Sequence, residues 1–491
     1  MKPYNLLFIF TDEQRADTLA AYGNTNIQMP NLNRLAQQST VFERAYCTQP
    51  VCTASRSSII TGLYPHTNGC VGNNRALPAS IPCLPRMLAA KQWITGNVGK
   101  WHLGDEIFPQ HGFDEWVSIE DLYIAYYSPG RDRNARSSYH HFLLKNGFLS
   151  DRGDIFSREF AARLPEQFGK PAFVAGEASQ FIRQHRNDPF ILYVALLEPH
   201  MPFFGPRDNQ YDPRDVSLPG NFNDPPTESN HLKSRLLQRA YFENGFEGFP
   251  LKTEADWRRL IANYWGLNSL VDTHVGRILA TLEECGLMDR TIIVFTSDHG
   301  DMMGSHRMLA KCVMYEEAVR VPLLIRLPGQ TRQQRMPHAV SQIDLVPTLL
   351  DLLGQPIPDH LQGKSRRAVV EGYTSLAAED IFIEWSGTET GVLERYSRDP
   401  MPESMVEIAS PAELERACAD PIRTIVSADG WKLNWSQMGQ HELYHLADDP
   451  FETRNLALRT DLMPTMEALA AKIRGWQCRT KDTCAPSHAA P

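Results

Sequence analysis

The stretch PVCTASRSSIITGLYPH, residues Pro50–His66, places a cysteine, an arginine and a helix-stopping glycine in close succession. The pattern predicts a loop followed by a helix that starts at Ser55 and ends at Gly62, because glycine readily takes the left-handed conformation at a helix end. Cys52 would then lie just before a helix start, where backbone N–H groups and the helix dipole favour anions. Arg56, one turn into the helix, adds a permanent planar charge that can bind an oxyanion. The spacing alone is equally compatible with a buried cysteine beside a helix cap.

Four apolar runs elsewhere in the chain are each followed at once by polar residues of catalytic type. Continuous apolar runs are typical of strands that are covered on both faces, as in a parallel sheet with flanking helices. Ligands of such sheets bind beyond the carboxyl ends of the strands. We therefore expect the polar residues to converge on one site. Leu6–Phe10 is followed by Asp12 and Glu13, and Trp93–Val98 by Lys100 and His102. Phe190–Leu197 is followed by His200, and Thr291–Thr296 by Asp298 and His299.

The rest of the chain separates into a helical part and a strand-rich part. Apolar residues at helical spacing predict helices over Met29–Gln38, Glu254–Cys285 and Ile343–Leu353. Two stretches rich in loop residues, Ile119–Gly169 and Phe203–Glu228, are expected to shape a substrate entrance. The prediction is an α/β fold with a large, mostly parallel central sheet flanked by helices.

A smaller C-terminal α+β subdomain with an antiparallel sheet is predicted after this part. We place the boundary so that residues 1–365 form the catalytic domain and residues 366–491 form the subdomain, with a closing helix over Asp461–Trp476 and a loose tail. The predicted strands of the subdomain are Asp380–Trp385, Ile422–Ser427, Trp431–Trp435 and Glu442–Leu446.

Composition and charge exclude several classes of function. Of 491 residues, 42% are hydrophobic and 22% charged, as is ordinary for a globular protein, and the net charge of −9 argues against a nucleic-acid binder. The nine cysteines follow neither a zinc spacing nor a disulfide framework. The apolar run near the N-terminus is too short for a secretory signal, and no run reaches membrane-spanning length. We expect no nucleic-acid or membrane partner and a cytoplasmic location by default, and the oligomeric state stays open.

The opening stretch also resembles a known family signature. Its Cys-x-Ala-x-Arg followed by Thr-Gly-x-Tyr-Pro-His is similar to the signature of type I sulfatases, in which proline usually stands at the position of Ala54. The run Glu442–Leu456 resembles the C-terminal region of the same family. The resemblance implies an alkaline phosphatase-like fold and a Cys52 that a formylglycine-generating enzyme oxidises to Cα-formylglycine after synthesis.

A divalent cation is expected among the residues that follow the first and last of the four strands. Carboxylates with one imidazole suit Ca²⁺ or Mg²⁺ better than a thiolate-bound zinc. In sulfatases the corresponding positions hold a cation that is usually calcium, with Mg²⁺ or Mn²⁺ as alternatives. The ligands that the resemblance implies are Asp12, Asp298, His299 and the side chain of residue 52, and Glu13, which stands where many members carry a second aspartate.

The family mechanism assigns roles to the remaining polar residues. Formylglycine is hydrated to a gem-diol, one hydroxyl attacks sulfur and expels the alcohol, and the other then loses its proton to release sulfate. A histidine can change its charge near neutral pH, as this proton transfer needs. The resemblance implies that His102 is the base for this last step, and that Lys100 and Arg56 hold the diol and the metal side of the site. His200 and Lys311 would bind the sulfate and protonate the leaving oxygen. Asn73 would contact the substrate.

Three interpretations follow. The first is a sulfatase that hydrolyses a sugar or aryl sulfate monoester. The second is a phosphonate monoester or phosphodiester hydrolase of the same superfamily, and the third is a non-catalytic, anion-binding relative. The phosphonate hydrolases carry uncharged hydrogen-bonding residues where this chain has Lys100 and His102. The sequence therefore favours sulfate monoesters, and it leaves the sulfated alcohol open because selectivity lies in the loops.

Overall fold

A nine-stranded sheet runs through the centre of this computed structural model, which describes residues 3–89, 92–387, 393 and 401–484. The strands are β1 (Asn5–Asp12), β2 (Thr40–Tyr46), β3 (Ile94–Gly99), β4 (Glu115–Ser118), β5 (Phe190–Pro199), β6 (Thr291–Ser297), β7 (Arg320–Val321), β8 (Leu323–Arg326) and β9 (Gln334–Ser341). Their order is β4-β3-β5-β1-β6-β8-β2-β7, and β9 pairs with β2. Strands β4, β3, β5, β1 and β6, which are consecutive in the sheet, are mutually parallel. Strand β8 is antiparallel to both of its neighbours, β6 and β2.

The four predicted strands form the middle of this sheet. All eight residues of β1 and all seven of β6 are buried, as expected of strands covered on both faces. Leu6 of β1 lies opposite Ile191 of β5 on one side and Ile292 of β6 on the other. The predicted mostly parallel sheet is therefore confirmed, and the antiparallel strands at one end make it a mixed one.

Helices cover both faces of the sheet. The longest, α9, has 31 residues, begins with a capping box formed by Thr253 and Asp256, and packs against α1, α7 and β5. The helices are α1 (Pro30–Gln37), α2 (Cys52–Thr61), α3 (Pro65–Asn68), α4 (Leu84–Met87), α5 (Ser138–Lys145), α6 (Arg158–Ala162), α7 (Lys170–Gln184), α8 (Leu232–Asn244), α9 (Glu254–Glu284), α10 (Glu316–Val319), α11 (Leu345–Leu352), α12 (Arg367–Val370), α13 (Glu403–Val406), α14 (Pro411–Ala419) and α15 (Met463–Thr480).

A second, four-stranded antiparallel sheet lies in the C-terminal part of the chain, as predicted. Its strands, in sheet order, are β10 (Ile381–Trp385), β11 (Ile422–Val426), β12 (Trp431–Ser436) and β13 (Glu442–His445). The closing helix α15 packs on β11 and β12, and the ring of Trp476 stacks on Phe382 with centroids 5.2 Å apart. The same indole meets Tyr64, just beyond α2, edge to face. Aromatic packing thus joins this sheet to the segment that follows α2.

Three expectations from the sequence stay predictions. They are the division into two parts after residue 365, the loose C-terminal tail and the cytoplasmic location. Asp482 pairs with Arg423 of β11, and residues 485–491 lie outside the described residues. Within the described part of the chain, no helix combines the length and the apolar character needed to cross a membrane.

Candidate active site

The carboxyl ends of β1, β3, β5 and β6 meet at one edge of the central sheet. Asp12 ends β1, and Asp298 follows β6, its direct neighbour. Lys100 follows β3, and its Nζ lies 2.5 Å from Oδ2 of Asp12. His200 follows β5, the neighbour of β1 on the other side. The polar residues that follow the four strands therefore do converge, because parallel strands place these ends on the same edge.

Helix α2 brings Cys52 to this edge. The helix begins at Cys52 rather than at the predicted Ser55, and it ends at Gly62, which has the predicted left-handed conformation with φ 69°. The N–H of Thr53 donates to Oδ1 of Asn73 at 3.2 Å, and the N–H of Ser55 makes the first intrahelical bond, to Val51. Asn73 reaches the first turn from another segment, so the local sequence pattern could not show the earlier start.

The side chain of Cys52 lies within a group of four metal-ligating residue types. Its Sγ is 3.3 Å from Nε2 of His299 and 3.5 Å from Oδ1 of Asp12. One ligand atom from each of Cys52, Asp12, His299 and Asp298 lies within 4.8 Å of the other three. Burial raises the pKa of the Cys52 thiol to about 12, and the charge of Asp12 acts in the same direction. The unmodified side chain is therefore a thiol at neutral pH, which makes it a poor nucleophile.

Arg56 and Lys100 orient the two aspartates of this group. The guanidinium of Arg56 binds Oδ2 of Asp298 at 2.8 Å and Oδ2 of Asp12 at 2.9 Å, and Lys100 binds the same Oδ2 of Asp12. Burial alone would raise the pKa of Asp12, but Lys100, His200 and Arg56 hold it well below its usual value. The Oδ1 atoms of both aspartates therefore face the group while their Oδ2 atoms are held by fixed cations.

The donor set fits a divalent cation. The Nδ1 atom of His299 lies 2.8 Å from the carbonyl oxygen of Gly300 and donates to it, so the lone pair of Nε2 points into the group. This Nε2 is 3.7 Å from Oδ1 of Asp298 and 3.9 Å from Oδ1 of Asp12. Two carboxylate oxygens and one imidazole nitrogen, all buried, suit a hard cation that other oxygen ligands would complete.

Glu13 lies beside this group and contacts a different set of residues. Its Oε2 accepts a hydrogen bond from Nζ of Lys311 at 2.7 Å and lies 3.5 Å from Nε2 of His200. Burial raises the pKa of Glu13 to about 8, although Lys311 acts against it. Glu13, Asp12 and His200 form a second group of possible ligands, so metal binding by Glu13 stays a prediction.

His102 is held by residues that the sequence did not single out. Its Nε2 donates to Oδ1 of Asn74 at 3.1 Å, its ring stacks on Tyr123 at 4.4 Å, and its backbone N–H donates to Glu106 at 2.6 Å. Burial, followed by the charges of Lys100 and Arg56, holds the pKa of His102 well below its usual value. The ring is therefore neutral at pH 7.

The second ring nitrogen of His102 is the one available as a base. Its Nδ1 is buried and has no hydrogen-bond partner within the described parts of the chain. No sequence pattern marks Asn74 as its partner, although the neighbouring Asn73 was predicted as a substrate contact. Tyr123 lies in the loop-rich stretch that was expected to shape the entrance.

The fold and the site together define a hydrolase of anionic esters. The family model described as Sulfatase matches residues 4–355, which is more than half of the chain, and the chain therefore belongs to the sulfatase family, with its alkaline phosphatase-like fold. An arylsulfatase of Clostridium perfringens is 28% identical over 485 residues, which cover 93% of this chain and 90% of the relative. The resemblance that the sequence motifs indicate is thus confirmed.

Two solved structures share the fold at low sequence identity. One is the phosphonate monoester hydrolase SpPMH from Silicibacter pomeroyi, with a TM-score of 0.75, 23% identity, and coverage of 98% of this chain and 96% of that chain. The other is BT4656 in complex with its substrate D-glucosamine-2-N,6-O-disulfate, with a TM-score of 0.73, 21% identity, and full coverage of both chains. At these identities the two structures support the fold alone.

Proposed function

We propose that this protein hydrolyses sulfate monoesters of sugars or aryl alcohols to the alcohol and inorganic sulfate. The observation that carries the proposal is that Lys100 and His102 contact the residues that surround residue 52. The ammonium group of Lys100 binds Asp12, and the carbonyl oxygen of His102 accepts a hydrogen bond from Oγ1 of Thr53 at 2.9 Å. A charged lysine and a neutral histidine at this place supply the charge and the base that release of sulfate requires.

The proposed cation is Ca²⁺, with Mg²⁺ or Mn²⁺ as alternatives. Asp12, Asp298, His299 and the side chain of residue 52 would hold it, with Glu13 as a possible further ligand. When bound, the cation supplies Lewis-acid stabilisation of negative charge on oxygen. The two buried aspartates, whose second oxygens are held by Arg56, support this assignment because hard carboxylate oxygens are preferred by such ions.

The proposed nucleophile is Cys52 after its conversion to Cα-formylglycine by a formylglycine-generating enzyme. The hydrated aldehyde supplies an oxygen nucleophile, which the thiol cannot replace because burial raises the pKa of Cys52 to about 12. Ala54 stands where the family usually has proline. Its N–H lies before the first intrahelical hydrogen bond, which starts at Ser55, so the helix can accept either residue there.

The remaining side chains bind charge and move protons. Nδ1 of His102 takes a proton from the residue-52 side chain, and Asn74 fixes the tautomer by accepting from Nε2. Lys311 supplies a positive charge to the sulfate, since the nearby Cys52, Glu13 and Asp12 raise its pKa even though burial acts against this. His200 faces the same region and is proposed to protonate the leaving oxygen through Nε2. Because burial holds the pKa of His200 well below its usual value and its Nδ1 donates to the carbonyl oxygen of Met201, Nε2 must first receive a proton. Asn73 uses Oδ1 to cap α2, which leaves its amide group for substrate.

A substrate screen tests the proposal. Purified protein is assayed against sulfated sugars, aryl sulfates, phosphonate monoesters and phosphodiesters, and kcat/KM is compared. The highest value is expected for a sulfate monoester, with phosphonate or phosphodiester cleavage as side activity. A preference for phosphodiesters over every sulfate ester would support the phosphonate hydrolase alternative instead. Anion binding without turnover of any ester would support a non-catalytic role.

A further inference from the structure

The proposed base, His102, lies on a loop that turns back sharply after β3. The backbone of His102 has φ 60°, and that of Asp105, three residues later, has φ 43°. Both angles lie in the left-handed region, which residues other than glycine adopt at a cost in free energy. Gly104, between them, has φ 91°. Other contacts must therefore hold the loop in this shape.

The carboxylate of Glu106 binds two successive backbone N–H groups of this loop. The N–H of Trp101 donates to Oε1 of Glu106 at 2.8 Å, and the N–H of His102 donates to Oε2 at 2.6 Å. Glu106 is itself fixed by β4, because Nε1 of Trp116 donates to the carbonyl oxygen of Glu106 at 3.1 Å. One carboxylate thus closes the turn with both of its oxygens.

The burial of this carboxylate is costly. Glu106 is 1% exposed, and in the described part of the chain no cation lies within ion-pair distance of it. Burial raises the pKa of Glu106 to about 7, although the N–H groups of Trp101 and His102 favour the ionised form. The charge of Glu120 raises this pKa further, while that of Lys100 lowers it. Acids that are kept buried without a counter-charge lower stability, and such groups cluster at functional sites.

The remaining polar groups of His102 are held from the segment around residue 52. Oγ1 of Thr53 donates to the carbonyl oxygen of His102 at 2.9 Å. The ring of His102 donates through Nε2 to Oδ1 of Asn74 at 3.1 Å. The N–H group, the carbonyl group and the ring thus each have a different partner. Among these contacts, the one with Glu106 fixes the N-terminal side of the backbone from which the ring projects.

We infer that Glu106 is a positioning residue, which holds the backbone of His102 so that its imidazole can take a proton from the residue-52 side chain. The inference rests on the proposed sulfatase function and deepens it. It assigns Glu106 to the second step, in which the remaining hydroxyl gives its proton to His102, its C–O bond becomes C=O, and the bond from carbon to the sulfated oxygen breaks to release sulfate. The first step, attack on sulfur with expulsion of the alcohol, should not depend on Glu106.

Steady-state kinetics test this inference with the sulfate ester that gives the highest kcat/KM in the substrate screen. Glu106→Gln keeps the size of the side chain but leaves one acceptor oxygen for two N–H groups. Its kcat should fall by about 10- to 100-fold, as is typical when a group that orients a reacting side chain is lost. KM should fall with kcat and leave kcat/KM close to the wild-type value, because kcat/KM reports only the steps up to departure of the alcohol. A general disturbance of the site would lower kcat/KM instead.

Two further variants separate positioning of the base from a loss of structure. Asp105→Asn, in the same loop, changes a carboxylate that pairs with Arg131 at 3.0 Å, and it should keep the wild-type kcat and KM. The double variant His102→Ala/Glu106→Gln should be no slower than His102→Ala alone, since a residue that acts through His102 has nothing left to position. At steady state, mass spectrometry should find more covalent sulfate on residue 52 in Glu106→Gln than in wild type or Asp105→Asn.

The outcomes separate this inference from the proposed function. A wild-type kcat in Glu106→Gln, a lower kcat/KM without covalent sulfate, or a double variant slower than His102→Ala would overturn the inference and leave the sulfatase function standing. Absence of turnover with every sulfate ester would overturn both.

Thermal melting shows whether each variant is folded. If Glu106→Gln is not, Glu106→Asp takes its place, because it keeps two acceptor oxygens on a shorter side chain, and it should show the same joint fall of kcat and KM. Failure of both variants to fold would assign Glu106 to the fold alone and would also overturn the inference.

Discussion

Cys52 and His299 are in direct contact, with Sγ of the first 3.3 Å from Nε2 of the second. The two residues are far apart in the chain and meet because α2 begins where β6 ends at the edge of the sheet. The nitrogen in this contact is the one that the bond from Nδ1 to Gly300 leaves unprotonated. The side chain proposed as the nucleophile is therefore already placed among the proposed metal ligands.

Removal of one aspartate from this group should remove the metal. Asp298→Ala should lower the affinity for Ca²⁺ and the rate of sulfate ester hydrolysis by more than about 100-fold. Loss of a residue that only hydrogen-bonds to a metal ligand typically costs about 10- to 100-fold, and loss of a ligand itself should cost more. Metal content by mass spectrometry and kcat/KM are measured together. Asp461→Ala, at an exposed surface ion pair, serves as the matched control. Unchanged metal content and rate in Asp298→Ala would refute the assignment.

The chemical state of residue 52 should decide activity. Active protein should show the mass loss that accompanies replacement of CH₂SH by an aldehyde, located on the peptide that contains residue 52. Cys52→Ala should be inactive, whereas Cys478→Ala, at an exposed cysteine, should retain activity. Protein from a host without a formylglycine-generating enzyme should be mostly inactive. Fully active protein with an unmodified Cys52 peptide would contradict the prediction.

Loss of the proposed base should stop the reaction halfway. In His102→Ala the first step, attack on sulfur, should proceed, while release of sulfate should stall because no imidazole takes the remaining proton. A peptide carrying covalent sulfate on residue 52 should then accumulate and be visible by mass spectrometry after mixing with substrate. Asn74→Ala should show a milder form of the same defect. Normal turnover by His102→Ala would exclude this role.

His102 should also make stability depend on pH. Its pKa in the folded protein lies well below the ordinary value of 6.5, with burial as the main cause. The unfolded chain therefore binds a proton first as the pH falls below 6.5, and folding stability decreases in that window by at most about 1.4 kcal/mol per pH unit for one group. Denaturant unfolding between pH 5 and 8 should show a smaller decrease for His102→Gln than for wild type. Equal slopes would show that burial does not hold this ring neutral.

The sequence was most informative where residues follow regular strands. Asp12, Lys100, His200 and Asp298 each come directly after an apolar run, and topology alone brings such positions to one edge. The antiparallel strands were missed, since β7 and β8 are only two and four residues long. Their pairing depends on contacts that no local pattern records.

Contacts made across the fold were also beyond local sequence reasoning. The start of α2 depends on Asn73, which reaches it from outside the helix, and the orientation of Glu13 depends on Lys311, almost 300 positions away. Arg158 lies in a stretch that was predicted to shape the entrance, but only the fold shows that its guanidinium pairs with Glu120. The sequence motifs thus identify the residues of the candidate site, while contacts across the fold determine which other side chains orient them.

The complete burial of α2 constrains when another enzyme could modify residue 52. All ten residues of this helix are buried, and Cys52 itself is 1% exposed. A second enzyme cannot reach the thiol once the surrounding sheet and helices are in place. If residue 52 is converted to formylglycine as proposed, the conversion must precede folding, and a chain that folds first keeps an unmodified thiol. The fraction of active molecules would then be set during synthesis, by competition between the modifying enzyme and the folding of the chain.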